Sequence, residues 1–335
     1  MASSPPSEEL PGERLAAVVY NPVKVDVERL RRAVARSERV GWRTTLWLET
    51  SEADPGTGQA RAAVEAGAEV VLAAGGDGTV RAVAEGLRGS PAALAPIPVG
   101  TGNLLARNLE LSLARLEDGV LSAFTGVDRE IDLAVVEIER PDGSRDEHAF
   151  AVMAGVGLDA QMVANTNPEL KRRVGWLAYV DGIARSLRDE HKIRVRWRID
   201  GAEPRANSVH TLLIGNCGVL PGNVVLLPEA RIDDGVLDVV ALRPEGFAGW
   251  LRIWTEITWE NGVRRLGTAG RKLAGPRRPV RALRYLRGRE FEVGLERPEP
   301  VELDGDAFGE AIGFHVRVDP GSLRVRTPAA QAHAR

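Results

Sequence analysis

Cysteine, methionine and tyrosine are scarce in this chain: one Cys, three Met and three Tyr among 335 residues, with aromatics at 5%. The single cysteine, Cys217, excludes an internal disulfide framework and suits a reducing compartment. It lies in the apolar, glycine-bearing run LLIGNCGVL and reads as a buried, inert thiol. No apolar run reaches the ~18 residues of a membrane span. Neither sign of charge dominates: the net charge of −3 gives no global argument for nucleic acid. His148, His191, His210 and His315 are scattered without metal-ligand spacing. The N-terminal MASSPPSEELPGE has neither the basic segment nor the apolar stretch of a signal peptide, so residues 1–14 are expected to be a disordered tail, as are residues 329–335. The expectation is a cytoplasmic globular protein whose length suggests about two domains.

What the chain does have is glycine in two telling places. Val70-Val71-Leu72-Ala73 reads as a short buried strand and runs straight into Gly75-Gly76-Asp77-Gly78-Thr79, followed by the helix-like VRAVAEGL. A second apolar run, Ala95 to Val99, ends in Gly100-Thr101-Gly102-Asn103. A strand feeding a glycine turn feeding a helix cradles phosphate, because glycine lets the backbone approach and the helix N-terminus offers unpaired N–H groups. Gly-Asp-Gly alone is an ordinary turn. Two such turns after neighbouring strands suggest one crevice at the strand ends of an open α/β sheet. The pattern is neither a Walker loop nor the GxGxxG of a dinucleotide fold. Upstream, LAAVVY (15–20), a helical pattern over 25–40 with Asp26 as cap candidate, WRTTLWLE (42–49) and a short helix over 59–67 complete a β-α-β order that argues a parallel, helix-covered sheet.

GGDGTV followed by PVGTGNLLARNL resembles the diacylglycerol kinase catalytic domain, shared by bacterial lipid kinases and by sphingosine and ceramide kinases; NAD kinases are more distant relatives with the same GGDGT. The resemblance implies transfer of the ATP γ-phosphate to a lipid hydroxyl, in a cleft between two domains. It implies nucleotide binding by Asn21, Pro22, Thr50, Gly75, Gly76, Asp77, Gly78, Thr79, Gly100, Thr101, Gly102 and Asn103. A carboxylate among phosphate-binding N–H groups needs a cation between it and phosphate, so Asp77 is read as a direct or indirect Mg²⁺ partner. The chain departs from the family twice. NPVKV lacks the usual glycine after Asn-Pro, and Leu104 stands where many bacterial members carry Asp.

After Asp128-Arg129-Glu130-Ile131-Asp132 the texture changes to short strands and turns, including an Asp-Gly hairpin signal at 142–143, and indicates a β-sandwich interrupted by a helix over 171–187. The expected fold is therefore an N-terminal parallel α/β nucleotide-binding domain over 15–133 and a C-terminal β-sandwich with inserted helices over 134–328, whose last strands can pack back toward the first domain. MAGVGLDAQMVA, KRRVGWLAYVDGIARSL and LLIGNCGVLPGNVVLLPEARIDDGVLDVVAL continue the family resemblance in order. It implies a structural Mg²⁺ held by the Asp234 side chain with the carbonyls of Arg231 and Val236, a hard-cation oxygen set; the plain alternative is an Asp-Gly turn before a strand. It also implies that Asp304, in Leu303-Asp304-Gly305-Asp306, is the general base, with Asp306 replacing the usual Glu. Local spacing says only that Asp-Gly makes hairpin turns.

FAGWLRIWTEITWENGVRRL (247–266) is helical in pattern, with Trp250, Trp254 and Ile257 on one face. Ten basic and no acidic residues follow between Arg264 and Arg289, a composition that suits an anionic membrane surface. A core stripe beside a solvated charged face accounts for it equally. The expected partners are thus ATP, Mg²⁺, a lipid substrate, most simply diacylglycerol, and an anionic bilayer met peripherally, with a homodimer left open. Three other readings compete: a sphingosine-like or other lipid kinase, an NAD kinase, and a nucleotide-binding regulatory module without transfer activity.

Overall fold

A computed structural model of the chain describes residues 14–38, 41–157, 192–221, 224–243 and 283–329. The chain forms two compact units, Met1–Ile131 with Ser322–Arg335, and Asp132–Gly321. The helices expected over 171–187 and 247–266, and most of the basic run, lie outside the described residues.

The first unit is a parallel sheet. Strands β1 (Leu15–Tyr20), β2 (Leu46–Glu49), β3 (Ala68–Gly75) and β4 (Ala93–Pro98) lie in the order β4-β3-β1-β2. Every residue of β1 is buried, as expected for a strand covered on both faces, where the sequence reads as a continuous apolar run instead of alternating. Helix α1 (Val27–Ser37) is capped by Asp26, whose carboxylate accepts the Arg29 N–H at 2.9 Å, and it buries Leu30, Ala33 and Val34 at i, i+3, i+4 spacing. Helix α2 (Thr57–Glu65) precedes β3, and α3 (Asp77–Leu87) follows it. A short α4 (Leu104–Asn108) and α5 (Leu116–Thr125) come after β4. The chain leaves β1 toward β2 on one side and leaves β3 toward β4 on the other, so the C-terminal ends of β1 and β3 form the point where connections diverge, the usual ligand position in open α/β sheets.

The second unit is built from antiparallel strands. One sheet runs β14 (Leu283–Gly288), β13 (Leu237–Leu242), β10 (Thr211–Gly215), β7 (Met153–Val156), β15 (Glu290–Leu303). The other runs β9 (Arg205–Val209), β8 (Ile193–Ile199), β15, β16 (Asp306–Thr327), β5 (Val127–Glu139), β6 (Arg145–Phe150). Strands β11 (Val219–Leu220) and β12 (Val224–Val225) form a separate pair. β15 serves both sheets: Phe291–Leu295 pairs with β8 and Val301–Leu303 with β7, and an irregularity between Gly294 and Glu299 bends the strand between them. Alternating residues of the two sheets, among them Ile193, Val195, Leu212, Ile214, Val239, Ala241, Phe291, Val293, Phe314 and Val316, share one core.

The chain parts at His210: β9 before it pairs in one sheet and β10 after it in the other. One boundary differs from the sequence reading. The second domain, expected to run to residue 328, closes at Gly321. From Ser322 the chain belongs to the first unit, where Arg324 and Val325 of β16 pair in parallel with Ala93 and Leu94 of β4.

Arg326 explains why that last segment holds. Its side chain is 3% exposed and pairs with Asp128 and, at 3.0 Å, with Glu69, while Nη1 donates to the Ala123 carbonyl at 3.2 Å. Hydrogen bonding by Arg14, joined by Arg326, holds the Glu69 carboxyl below its ordinary range despite its partial burial. Replacing Arg326 by Leu leaves two carboxylates without this partner. Because both are a third or more exposed, the expected loss is about 2 kcal/mol, short of the 3–5 kcal/mol for a fully buried pair. Chemical denaturation of Arg326→Leu against the parent checks this; an unchanged midpoint would show that the pairing contributes nothing to the fold.

Candidate active site

The first glycine turn is shaped by close packing. A Cβ on Gly75 would fall 2.4 to 2.7 Å from the side-chain atoms of Thr79, which is itself buried beneath the turn. Gly76 is the N-cap of α3 and brings no side chain of its own to cap it. Beside a Cβ built on Gly76 there is open space. The start of the neighbouring α2 is closed by Asp54, whose carboxylate accepts from Gly56 at 3.1 Å and from Gly58 at 3.1 and 3.2 Å. The start of α3, with open space beside Gly76, is where an anion could approach a helix N-terminus.

The second turn is closed on itself and onto the first. Asn103 adopts the left-handed conformation (φ 48°). Its Oδ1 accepts from Gly100 N–H at 3.1 Å and its Nδ2 donates to the Gly100 carbonyl at 2.7 Å. Asp77 then joins the two turns: Oδ2 accepts from Asn103 N–H at 3.1 Å and Oδ1 from Leu104 N–H at 2.6 Å. A Cβ on Gly102 would lie 2.3 Å from Asp77 Oδ2, so glycine is needed for that approach. Arg107, which sequence reasoning passed over, donates from Nε to the Gly102 carbonyl at 2.6 Å and so brings a guanidinium to the same turn. Its spacing after the glycine turn was visible in LLARNL, but nothing in a single sequence marks it as folding back.

Asn21 and Thr50 reach the same edge. The Asn21 N–H donates to the Ala74 carbonyl at 2.9 Å, one residue before Gly75. Its side chain accepts from Val23 and Lys24 N–H groups at 3.0 and 3.2 Å, an Asx-turn around Pro22 that does without the glycine usual in the family. Thr50 is buried, and its N–H donates to the Tyr20 carbonyl at 2.9 Å. Asn21, Pro22, Thr50, Gly75–Thr79 and Gly100–Asn103 thus all lie along the C-terminal edge of the first unit's sheet. Lys24 is exposed in the same loop.

Asp304 and Asp234 belong to the second unit. Asp304 (φ 51°) and Gly305 (φ 90°) form the two-residue turn between β15 and β16, with Leu303 paired to Asp306. The Asp304 carboxylate is buried and accepts three backbone N–H groups, from Ala151, Val152 and Met153, each at 2.9 Å. Asp306 is exposed. The loop 151–153 is in turn held by Asn216, wholly buried, whose Nδ2 donates to the carbonyls of Ala151 (3.2 Å) and Asp132 (2.8 Å) and whose N–H donates to Val152 (2.9 Å). Asp132 carries the network onward: its carboxylate accepts from Gly235 at 2.7 Å and Gly321 at 2.8 Å. Sequence reasoning used Asp132 only as a boundary marker and did not single out Asn216. A polar residue inside the apolar run LLIGNCGVL was the available signal.

The turn proposed for a structural Mg²⁺ has its own counter-ion. Asp234 Oδ1 accepts from Val236 N–H at 3.2 Å, and Oδ2 pairs with Arg287 Nη2 at 2.6 Å. Arg287 Nε also lies 3.2 Å from Asp238 Oδ1. Burial pushes the Asp238 carboxyl up to about 6, against the pull of Arg287. A guanidinium already seated on the Asp234 carboxylate does not fit a divalent cation bound by that same group with the Arg231 and Val236 carbonyls. Among the described residues no group of three His, Cys, Asp or Glu side chains could hold a metal.

Comparisons with known proteins give the chain's family and fold. Residues 16–136 match the model of the diacylglycerol kinase catalytic domain, and residues 151–265 match the YegS C-terminal NAD kinase beta sandwich-like domain. The chain is 33% identical over 312 residues to a protein of Pseudomonas aeruginosa named "Probable lipid kinase YegS-like", covering 90% of each, and 31% identical over 329 residues to one of the same name in Pseudomonas fluorescens, covering 94% of each. A crystal structure of a diacylglycerol kinase from Bacillus anthracis shares the fold, with a TM-score of 0.63 at 17% identity over 95% of this chain and 98% of that one. Two family domains in order and relatives matched along nine-tenths of their length place the chain in the YegS-like lipid kinase family, built on the diacylglycerol kinase catalytic domain.

Proposed function

We propose that this chain transfers the γ-phosphate of ATP to a lipid hydroxyl, with diacylglycerol as the acceptor and phosphatidic acid and ADP as products. The observation that carries the reading is the locking of the two glycine turns by Asp77, at the start of α3. The backbone N–H groups of Gly76 to Thr79 face developing negative charge, as phosphoryl transfer requires. The metal arrives with the nucleotide as MgATP. Asp77, between the two turns, is the carboxylate that would meet the water shell of that cation. Asn21 and Thr50 flank the nucleotide. The acceptor hydroxyl loses its proton as its oxygen bonds phosphorus and the bond to ADP breaks; Asp304 is the group assigned to take that proton. Its three backbone donors fix one rotamer, and orientation is most of what a base contributes in this chemistry.

The substrate assignment is tested by incubating the protein with labelled MgATP and, separately, diacylglycerol micelles, sphingosine or ceramide micelles, and NAD. Label in phosphatidic acid is the expected outcome. Label in NADP, or in no acceptor, sinks the reading; label in a sphingoid lipid keeps the kinase and corrects the acceptor. Among the described residues no helix is long and apolar enough to cross a membrane. The basic residues between Arg264 and Arg284 are the proposed contact with the bilayer, read from sequence alone. Co-sedimentation should show anionic vesicles bound more tightly than neutral ones and released by salt.

Two substitutions separate the roles. Asp77→Asn keeps one acceptor oxygen but places an NH₂ group against a backbone N–H and removes the charge. Turnover should fall on the order of a thousandfold at saturating magnesium, with the circular dichroism of the fold retained. Activity within a few fold of the parent would remove Asp77 from the mechanism. Asp304→Asn should retain ATP binding and lose turnover by at least about a hundredfold, while also losing on the order of 1–3 kcal/mol of stability from a mismatched backbone donor. Both are measured on one preparation. A loss of turnover no larger than the loss of folded protein would make Asp304 a structural turn residue.

A further inference from the structure

The acidic turn Asp233–Val236 and the β13–β14 pair behind it hold a charge arrangement that the family resemblance does not lead one to expect. Arg287 on β14 is the direct cross-strand partner of Asp238 on β13. Its guanidinium presents one edge to each of two carboxylates: Nε to Asp238 at 3.2 Å and Nη2 to Asp234 at 2.6 Å. We infer that Arg287 is the built-in cation of this turn, so that the turn keeps its shape in this chain without a bound divalent metal.

Three further observations carry this. First, the turn's backbone donors are already received by protein oxygens. Val236 N–H goes to Asp234 Oδ1 at 3.2 Å and Gly235 N–H to Asp132 Oδ2 at 2.7 Å, with Gly235 in the left-handed region (φ 68°). These bonds shape the N–H side of the turn without a cation. Second, a Mg²⁺ on the Asp234 carboxylate would sit about 2.1 Å from an oxygen, and therefore within a few ångströms of a guanidinium that bonds the same group. A dication and a guanidinium at that distance repel, and arginine cannot relieve the repulsion by giving up its proton. Third, Asp238 Oδ2 is buried without a hydrogen-bond partner. Arg287 is thus the cation that makes a buried carboxylate tolerable at this point, and a metal that displaced it would leave that group worse off. The turn is tied through Asp132 and Asn216 to the loop 151–153 that cradles Asp304, so its rigidity matters to the site whichever lipid is the acceptor.

The experiment uses the full chain without nucleotide, so that metal carried by ATP plays no part. Thermal unfolding is followed in EDTA and in millimolar Mg²⁺, and Mn²⁺ binding is followed by electron paramagnetic resonance. The parent should show the same Tm in both media and no stoichiometric Mn²⁺ binding. Arg287→Gln should lose several degrees of Tm, and Arg287→Lys, a compact charge without the two-edged fork, should fall between. A parent that loses several degrees on chelation, or that binds one Mn²⁺ per chain in a way abolished by Asp234→Asn, overturns the inference, as does an Arg287→Gln variant as stable as the parent. The chelation and Mn²⁺ arms need no variant of Arg287, so they decide the matter even if Arg287→Gln does not fold.

Discussion

The two hydrogen bonds from Asn103 and Leu104 to Asp77 are the constraint on which the first unit's site depends. They bind the turn after β4 to the turn after β3, whose strands are neighbours in register from Val70 and Ala93 to Gly75 and Pro98. Without them each turn would be a separate glycine loop at a strand end. With them the start of α3 and the left-handed Asn103 are one rigid surface, and the glycines at 75 and 102 become obligatory because Thr79 and Asp77 occupy the space a Cβ would need. A carboxylate at this point would repel phosphate unless its charge were met, and the Asn103 and Leu104 N–H groups meet part of it.

The same device recurs through the chain. Asp26 receives the Arg29 N–H, Asp54 those of Gly56 and Gly58, Asp132 those of Gly235 and Gly321, Asp200 those of Arg289 and Glu290, and Asp304 those of Ala151, Val152 and Met153. Short carboxylates close turns here by satisfying N–H groups that neither helix nor sheet can pair. This is why an aspartate in an Asp-Gly turn is weak evidence for chemistry by itself, and why Asp304 and Asp77 have to be tested by substitutions that separate geometry from charge.

What could be read in the sequence was local. The buried runs of β1, β3 and β4 and the glycine turns behind them depend on neighbours within a few residues, and their chemistry is written in those residues. What could not be read depends on partners far along the chain. Asp132 meets Gly321 across 189 residues, and Arg326 meets Glu69 across 257. Arg287 was counted with a basic run because its neighbours in sequence are basic; its partner across the strand pair is Asp238. β15 serves two sheets through the irregularity between Gly294 and Glu299, and its partners β7 and β8 lie far along the chain. Register between distant strands leaves little trace in a single sequence, since any apolar alternation of the right length would pair as well.

The contrast between two buried aspartates shows what decides whether such a group is tolerated. Asp304 is 4% exposed and meets three backbone donors; Asp238 is 6% exposed, meets one guanidinium and leaves an oxygen unpartnered. Burial is the leading cause that pushes the Asp238 carboxyl up to about 6, with Asp234 and Glu229 adding to the rise and Arg287 opposing it. A carboxyl whose pKa is higher folded than unfolded binds its proton more tightly when folded, so the group contributes most favourably below its unfolded value near 4. That contribution is lost as pH rises through about 6. A shift of that size corresponds to roughly 3 kcal/mol against folding at neutral pH. A second fixed charge of the same sign, Asp234, stands on the same guanidinium. Arg287 therefore carries two debts of desolvation and repulsion at once. A chain that relied on an external cation at Asp234 would still have to answer for Asp238, whereas one arginine reaching along both edges answers for both.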